Sequence, residues 1–262
     1  MIIDFHVHVF PDGLAQKTIP ILAERSGLTP SSDGTVGCTV TKMQEAGVDK
    51  AVLQNIATNP RQMEKVNDFA ISCNDREELI AFGSIHPAAD YERELDRLED
   101  AGIRGIKLHP DYQGFFIDGP GMQKVYEAIL KRDFVLLFHA GVDIGLPEPV
   151  HASAEAISHT LGLFSGEKVV FAHMGGYLMY EQTMDKLIGK DVYIDTSFSF
   201  GRADGKMLHT MITAHRPDKI LFATDFPWGD FAKEIAYINA LDIPETLREN
   251  IFHNNAEKLL QL

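Results

Sequence analysis

Four side chains of this sequence have the types and the spacing that a metal site requires. His6 and His8 are two residues apart in a short apolar segment, so both imidazoles point to the same side of a strand. His139 ends a second apolar segment, and Asp225 follows a third. Imidazoles and carboxylates are ligands that first-row divalent metals favour. We therefore expect one divalent transition metal at these four residues, with zinc first and manganese, iron or cobalt as alternatives.

A metal at this position would activate water, and Asp225 and His173 are the residues that we expect to act beside it. A bound divalent cation lowers the pKa of water from about 15.7 toward about 7. Asp225 would accept the proton and then donate it to the leaving group. His173 ends another apolar segment. It polarises a substrate carbonyl, acts as a second base, joins the metal ligands, or supports the ligands without contacting metal or substrate.

Three further polar residues are candidates for substrate binding. Lys107 and His109 share one face of the segment Gly105–His109. For Lys107 the alternatives are contact with a substrate carboxylate or with the residues that surround the ligands, an internal salt bridge, or carbamylation that would bridge a second metal. Arg202 follows another apolar segment and is either a contact for an anionic substrate or a surface arginine.

The elements that must position these residues are short apolar segments that alternate with stretches of helical periodicity. Buried parallel strands joined by crossover helices have this pattern. We predict strands over the ranges Ile2–His8, Lys50–Asn55, Ile80–Ile85, Gly105–His109, Phe134–His139, Lys168–His173, Val192–Thr196 and Lys219–Thr224. We predict helices over the ranges Val40–Ala46, Arg61–Arg76, Tyr91–Ala101, Met122–Lys131, Ala152–Phe164, Tyr180–Ile188, Lys206–His215 and Phe231–Ala240.

Eight alternations predict an α/β fold, namely a single (β/α)8 barrel that spans residues 1–262 as one domain. The candidate site residues then lie at the carboxyl ends of strands, where barrel enzymes have their active sites. Gly47 and Gly102 are expected to end helices. A doubly wound open sheet is the alternative, but no Gly-x-Gly-x-x-Gly motif follows a strand. The segment 11–37 is long for a connection and is partly loop, which is typical of a lid.

The overall composition excludes several classes of partner. The formal net charge is −14, so the surface repels nucleic acid and anionic membranes. No apolar run approaches the roughly 20 residues that span a bilayer. Cys38 and Cys73 are far apart, and the chain opens at Met1 without a secretion signal, so we expect a cytoplasmic protein without disulfides. The partner that remains is a small-molecule substrate, and self-association is left open.

Several motifs, taken together, resemble those of the amidohydrolase superfamily, in particular its amidohydrolase-related branch. They are Asp4-Phe-His-Val-His8, Gly105-Ile-Lys-Leu-His-Pro110, Leu137-Phe-His-Ala-Gly141, Phe171-Ala-His-Met-Gly-Gly176 and Phe222-Ala-Thr-Asp-Phe-Pro-Trp228, in that order. The resemblance covers nearly the whole chain. It implies metal ligands at His6, His8, His139 and Asp225, with His173 close to the chemistry. Members of this branch include lactonases, hydratases and non-oxidative decarboxylases.

The expected activity is hydrolysis of a C–O or C–N bond in a small carbonyl compound, such as a lactone, ester or amide that bears a carboxylate. Decarboxylation or hydration of a carboxylated substrate is the alternative. This chain is shorter than the decarboxylase members, which favours hydrolysis. A metal-binding barrel without turnover is a third alternative, from a different class of function.

Overall fold

Eight strands follow one another along the chain in the computed structural model, which describes residues 1–262. Each strand lies within or beside its predicted range. Their bounds are β1 Ile3–Val7, β2 Lys50–Gln54, β3 Leu79–Phe82, β4 Gly105–Leu108, β5 Val135–Phe138, β6 Val169–Phe171, β7 Tyr193–Asp195 and β8 Ile220–Leu221.

Every strand pairs in parallel with the next one along the chain, in two runs, β1-β2-β3 and β4-β5-β6-β7-β8. Two contacts join the runs into a ring. Gly83, just after β3, bridges to Ile106 of β4. On the other side, the Phe5 amide of β1 donates to the Phe222 carbonyl at 2.8 Å. The strands therefore close into a barrel, which confirms the predicted fold class and excludes the open sheet.

Alternation along the strands decides which side chains face the barrel interior. In β5, Leu136 and Phe138 pack in the core shared with the surrounding helices. Val135 and Leu137 belong to a separate core with residues of other strands, so they point inward. His139 continues the inward series of β5, and Lys107 occupies the equivalent series of β4. The same pattern that buries the core thus delivers polar side chains to one end of the barrel.

Helices surround the barrel and extend past its ends. Their bounds are α1 Asp12–Ser26, α2 Val36–Ala46, α3 Met63–Cys73, α4 Tyr91–Asp100, α5 Pro110–Gln113, α6 Met122–Leu130, α7 Ala154–Phe164, α8 Tyr180–Lys186, α9 Gly205–Ala214, α10 Phe231–Ala240, α11 Glu245–Glu249 and α12 Asn255–Leu260. A π-helical segment, Asn250–Asn254, connects the last two. Gly47 and Gly102 follow α2 and α4 with left-handed φ angles of 75° and 73°, which confirms both predicted helix ends.

The segment 11–37 contains a helix that the sequence analysis did not predict. α1 occupies its first half and ends at Gly27, whose φ of 71° is left-handed. Only Ala15 and Ile19 of α1 are buried, and Pro20 lies inside the helix, so its sequence carries a weak helical pattern. The residues from Gly27 to Gly34 form a loop, as expected.

None of these helices has the length and the apolar character needed to cross a membrane.

Candidate active site

Three of the four predicted metal ligands lie together at the carboxyl end of the barrel. Nε2 of His8 is 3.1 Å from Oδ1 of Asp225, and Nε2 of His6 is 3.5 Å from the same oxygen. One ligand atom from each residue lies within 4.8 Å of the other two. All three side chains are mostly withdrawn from solvent, so their lone pairs have few water partners.

Hydrogen bonds on the far side of each imidazole decide which nitrogen faces Asp225. Nδ1 of His8 is 2.9 Å from the Gln54 carbonyl, which only accepts, so this nitrogen carries the proton. Nδ1 of His6 is 2.9 Å from Oδ2 of the buried Asp195 carboxylate and donates in the same way. Both Nε2 atoms therefore present lone pairs, which is the tautomer that a metal ligand needs.

His139 is held in the same tautomer by a chain of three groups. The carbonyl of Ser197 accepts from Nδ1 of His173 at 3.1 Å, so Nε2 of His173 is an acceptor. Nδ1 of His139 donates to that Nε2, also at 3.1 Å. Nε2 of His139 is buried and has no hydrogen-bond partner. A buried lone pair without a partner costs free energy unless a ligand fills it.

The structure places His139 in a second group rather than within the first one. One ligand atom from each of His109, His139 and Asp143 lies within 4.8 Å of the others. The rings of His109 and His139 stack at 4.1 Å between centroids. His173 connects the two groups, because its ring is 5.2 Å from that of His6 and 4.8 Å from that of His139.

His109 differs from the other imidazoles because its Nδ1 is an acceptor. The Tyr112 amide, at the start of α5, donates to this Nδ1 at 3.3 Å. Nε2 therefore carries the proton, and it lies 3.2 Å from Oδ2 of Asp143. In this arrangement Nε2 of His109 donates a hydrogen bond, so it has no free lone pair for a metal.

Lys107 projects from β4 into the same end of the barrel and is 1% exposed. Its Nζ lies 3.2 Å from Nε2 of His6, which is its only hydrogen-bond partner. Burial lowers the pKa of this amine to about 8, and the negative charges of Asp195 and Asp225 limit the shift. Because no carboxylate lies within ion-pair distance of Nζ, the internal salt bridge, one of the alternatives for Lys107, is absent.

Burial and neighbouring charges set the protonation of the remaining groups. The pKa values of His6, His139 and His109 lie well below the usual range, mainly because burial disfavours the charged imidazolium. Burial alone would raise the pKa of Asp225, but its contacts with the nearby imidazoles, that of His8 first, lower it. The site therefore combines an ionised carboxylate with neutral rings at His6, His109 and His139.

Arg202, predicted as a substrate contact, is not part of the cavity wall. Its guanidinium carbon lies 3.4 Å from the centre of the Phe198 ring, and it approaches the Trp228 carbonyl at 3.4 Å. Its charge faces the buried carboxylate of Glu234 at 4.0 Å. Arg202 thus supports two wall residues, Phe198 and Trp228, from behind.

Two acidic residues at the site were not among the candidates from sequence. Asp195 ends β7 and accepts hydrogen bonds from the His6 ring and from the backbone amides of His173 and Ser197. The rule that located the other candidates, a polar residue at a strand end, would also have located Asp195. Asp143 lies in the loop after β5 and has no comparable signal.

A cavity of about 560 Å³ opens above these groups, which is within the usual range for small-molecule sites. All of the predicted site residues except Arg202 reach its wall. The wall also includes residues from α1, α3 and the loop after β5. The predicted lid segment therefore does contribute a wall of the cavity, through α1.

The sequence matches the family model described as Amidohydrolase over residues 3–262. This chain belongs to the amidohydrolase family. No curated protein matches the sequence.

Solved structures with the same fold are similar to this amidohydrolase over almost their whole length. An uncharacterised TIM-barrel protein from Bordetella bronchiseptica has a TM-score of 0.79 at 19% identity, with 99% of this chain and 98% of that chain covered. A 2,6-dihydroxybenzoate decarboxylase from Rhizobium has a TM-score of 0.71 at 18% identity, with 99% and 98% covered. A 5-carboxyvanillate decarboxylase from Novosphingobium aromaticivorans, in complex with manganese and a nitrobenzoic acid, has a TM-score of 0.73 at 17% identity, with 100% and 96% covered.

These findings confirm the family and the barrel fold of this amidohydrolase. The similarity covers 98% and 96% of the two decarboxylase chains, so it extends over nearly all of their fold. Hydrolysis, the identity of the metal and the role of each site residue stay predictions.

Proposed function

We propose that this amidohydrolase removes a carboxylate from a small organic acid, in a reaction that depends on one divalent metal held by His6, His8 and Asp225, with His139 of the neighbouring group as the fourth ligand. The observation that carries the proposal is the contact between Lys107 and His6, at 3.2 Å. This contact places a buried amine beside the candidate ligands. A substrate carboxylate bound there would lie between the Lys107 ammonium and the metal. The decarboxylases that share this fold support the same reaction.

The residues present fit a metal. Hydrogen bonds at Nδ1 leave Nε2 of His6, His8 and His139 without a proton. Lys107 contacts this atom of His6, and the same atom of His139 is buried without a partner. Manganese in one of the similar structures makes it the first metal to test, with zinc as the alternative. The metal would supply Lewis-acid polarisation of a substrate oxygen.

The cavity supports loss of CO₂ by keeping water away from the carboxylate. Lys107 at its floor is 1% exposed, and much of the wall above it is apolar. A carboxylate that loses water contacts against an apolar wall is less stable relative to neutral CO₂, so the apolar wall favours the reaction. The Lys107 ammonium would orient the carboxylate through a charge-assisted hydrogen bond.

The carbon that loses CO₂ must take up one proton, so the balance is R–COO⁻ plus H⁺ giving R–H plus CO₂. Asp225 is a poor donor, because the pKa of its carboxyl lies below the ordinary value. Two other groups carry a proton at the cavity floor, the Lys107 amine and Nε2 of His109. We assign the donor to Lys107, since its amine is in contact with the candidate ligand group.

Hydrolysis is the second candidate, and the ionised Asp225 carboxylate favours it. A carboxylate 3.1 Å from Nε2 of His8 is placed to accept a proton from water at the ligand group. A lactone, ester or amide would then be the substrate.

A substrate panel separates the two reactions. Purified protein supplied with manganese would be given ring carboxylates, lactones and esters, with CO₂ release and acid formation both measured. We expect CO₂ release that requires manganese and is lost in Lys107→Met. Lys124→Met, on the exposed side of α6, is the matched control and should retain activity. Acid formation without CO₂ would replace the proposal with hydrolysis.

A further inference from the structure

The exposed charged residues of the cavity wall are both cations. Two acids line the whole cavity, Asp143 and Asp225, and both are engaged at the floor, with His109 and His8 respectively. The remaining lysine and arginine side chains of the wall, apart from Lys107, are Arg25 and Lys65. Both are exposed, so they lie toward the mouth. In a chain with 38 acidic and 24 basic residues, a mouth without an acid is a specific feature.

Neither cation at the mouth is paired with a carboxylate, although the Arg25 side chain forms a hydrogen bond with Tyr112. No carboxylate lies within ion-pair distance of Arg25 or Lys65, whereas many other surface cations are paired, Arg93 with Glu64 for example. Lys65 is the third residue of α3, where the helix dipole disfavours a positive charge, so helix stability does not account for it. The stem of Arg25 packs over Gly145 of the loop after β5.

Apolar side chains separate this positive mouth from the floor. They come from α1, from α3 and from the loop after β2, and include the half-buried side chains of Leu22, Ile56 and Phe69. The cavity volume of about 560 Å³ lies in the range for drug-sized ligands. It therefore provides room for an apolar body between two sites for anions.

We propose that the substrate is an elongated acid with two anionic ends, one bound at Lys107 on the floor and the other at Arg25 and Lys65 at the mouth. The inference rests on the proposed function for the floor end only. An apolar body spans the two ends. The second anion is a carboxylate or a phosphate monoester, because both have the chemistry that arginine and lysine recognise.

Binding can be measured without turnover, because the only tryptophan, Trp228, lines the cavity. The probes are a biphenyl monocarboxylate, the matching dicarboxylate with its acids at opposite ends, and the analogue with a phosphate in place of the second acid. We expect the dicarboxylate to quench Trp228 fluorescence with an affinity about tenfold above that of the monocarboxylate at low salt, and less at high salt. Tighter binding of the phosphate analogue would also support the proposal and would identify the second group.

Variants distinguish anion binding at the mouth from anion binding at the floor. Arg25→Gln with Lys65→Gln should abolish the preference for the dicarboxylate, and the variant should still bind the monocarboxylate. Lys17→Gln, which alters an exposed lysine of α1 outside the cavity wall, is the control and should retain the preference. Equal affinity for both probes, or a preference that survives in the double variant, would overturn the proposal. Loss of monocarboxylate binding in Lys107→Met tests the floor separately.

Discussion

Nδ1 of His139 donates to Nε2 of His173 at 3.1 Å, so one imidazole fixes the tautomer of the other. His173 thereby orients a candidate ligand instead of presenting its own free nitrogen. Groups that orient a ligand histidine commonly change metal affinity about 10- to 100-fold when they are removed. His173→Ala should lower manganese affinity by that factor, measured by titration of metal-stripped protein.

The control for this prediction is His159→Ala. It removes an exposed imidazole of α7 that pairs with Asp118 and is not a candidate ligand. Its metal affinity should equal that of the original protein. If His173→Ala lost activity with unchanged metal affinity, His173 would instead contact substrate directly.

Removal of metal should lower the stability of the fold. A ligand that binds only the folded state stabilises it by about 2.7 kcal/mol when present at 100 times its Kd. Thermal unfolding with a chelator and then with excess manganese should therefore show a higher Tm in the second case. His8→Ala should show the same Tm in both, and a full metal-dependent shift in that variant would place the site elsewhere.

Asp225→Asn should keep the fold but lose most turnover. The amide has the same shape, yet it lacks the negative charge that faces Nε2 of His8 at 3.1 Å. Loss of a group that transfers a proton or holds the metal costs about 10²- to 10⁴-fold in rate. Circular dichroism checks the fold and the rate assay checks the role, and full activity would remove Asp225 from the mechanism.

Ionisation of the buried Glu234 carboxyl should lower the free energy of unfolding at alkaline pH. Burial raises the pKa of this carboxyl from 4.5 to about 8, with the charge of Arg202 opposing the shift. Between these values the folded state binds more protons than the unfolded state, so the free energy of unfolding falls as pH rises, by up to about 1.4 kcal/mol per pH unit.

Denaturant unfolding at pH about 5.5 and about 8.5 checks this prediction. Glu234→Gln should lose less stability across the interval than the original protein, because the neutral amide does not titrate. Glu167→Gln, a change at an exposed position, should behave like the original protein. An unchanged pH dependence in Glu234→Gln would refute the assignment.

Gly141→Ala should disturb the cavity wall. Gly141 has a φ of 84°, and a Cβ there would come within 2.2 Å of the Tyr177 amide nitrogen. The loop that follows His139 would have to move, so we expect a lower Tm and weaker metal binding. Gly13→Ala is the control, because no atom lies within 4 Å of its added Cβ. A Gly141→Ala protein with unchanged Tm would show that the loop adapts without cost.

Most of the fold follows from local patterns in the sequence. α10 was predicted with its observed bounds, Phe231–Ala240, and all eight strands were located. Buried apolar segments and left-handed glycines are features of neighbouring residues, so they can be recognised without a structure. α1 could not be recognised in the same way, because it buries only Ala15 and Ile19 and lines the cavity with much of its remaining surface.

The sequence by itself determined which residue types stand at the ends of strands, since alternation along each strand is fixed by the backbone. Only the tertiary structure decided which nitrogen of each imidazole is free and that Arg202 lies behind Phe198. The partners responsible are far apart in the chain: Asp195 is 189 positions from His6, and Gln54 is 46 from His8. Closure of the barrel brings these partners together, and no local pattern encodes a hydrogen bond across it.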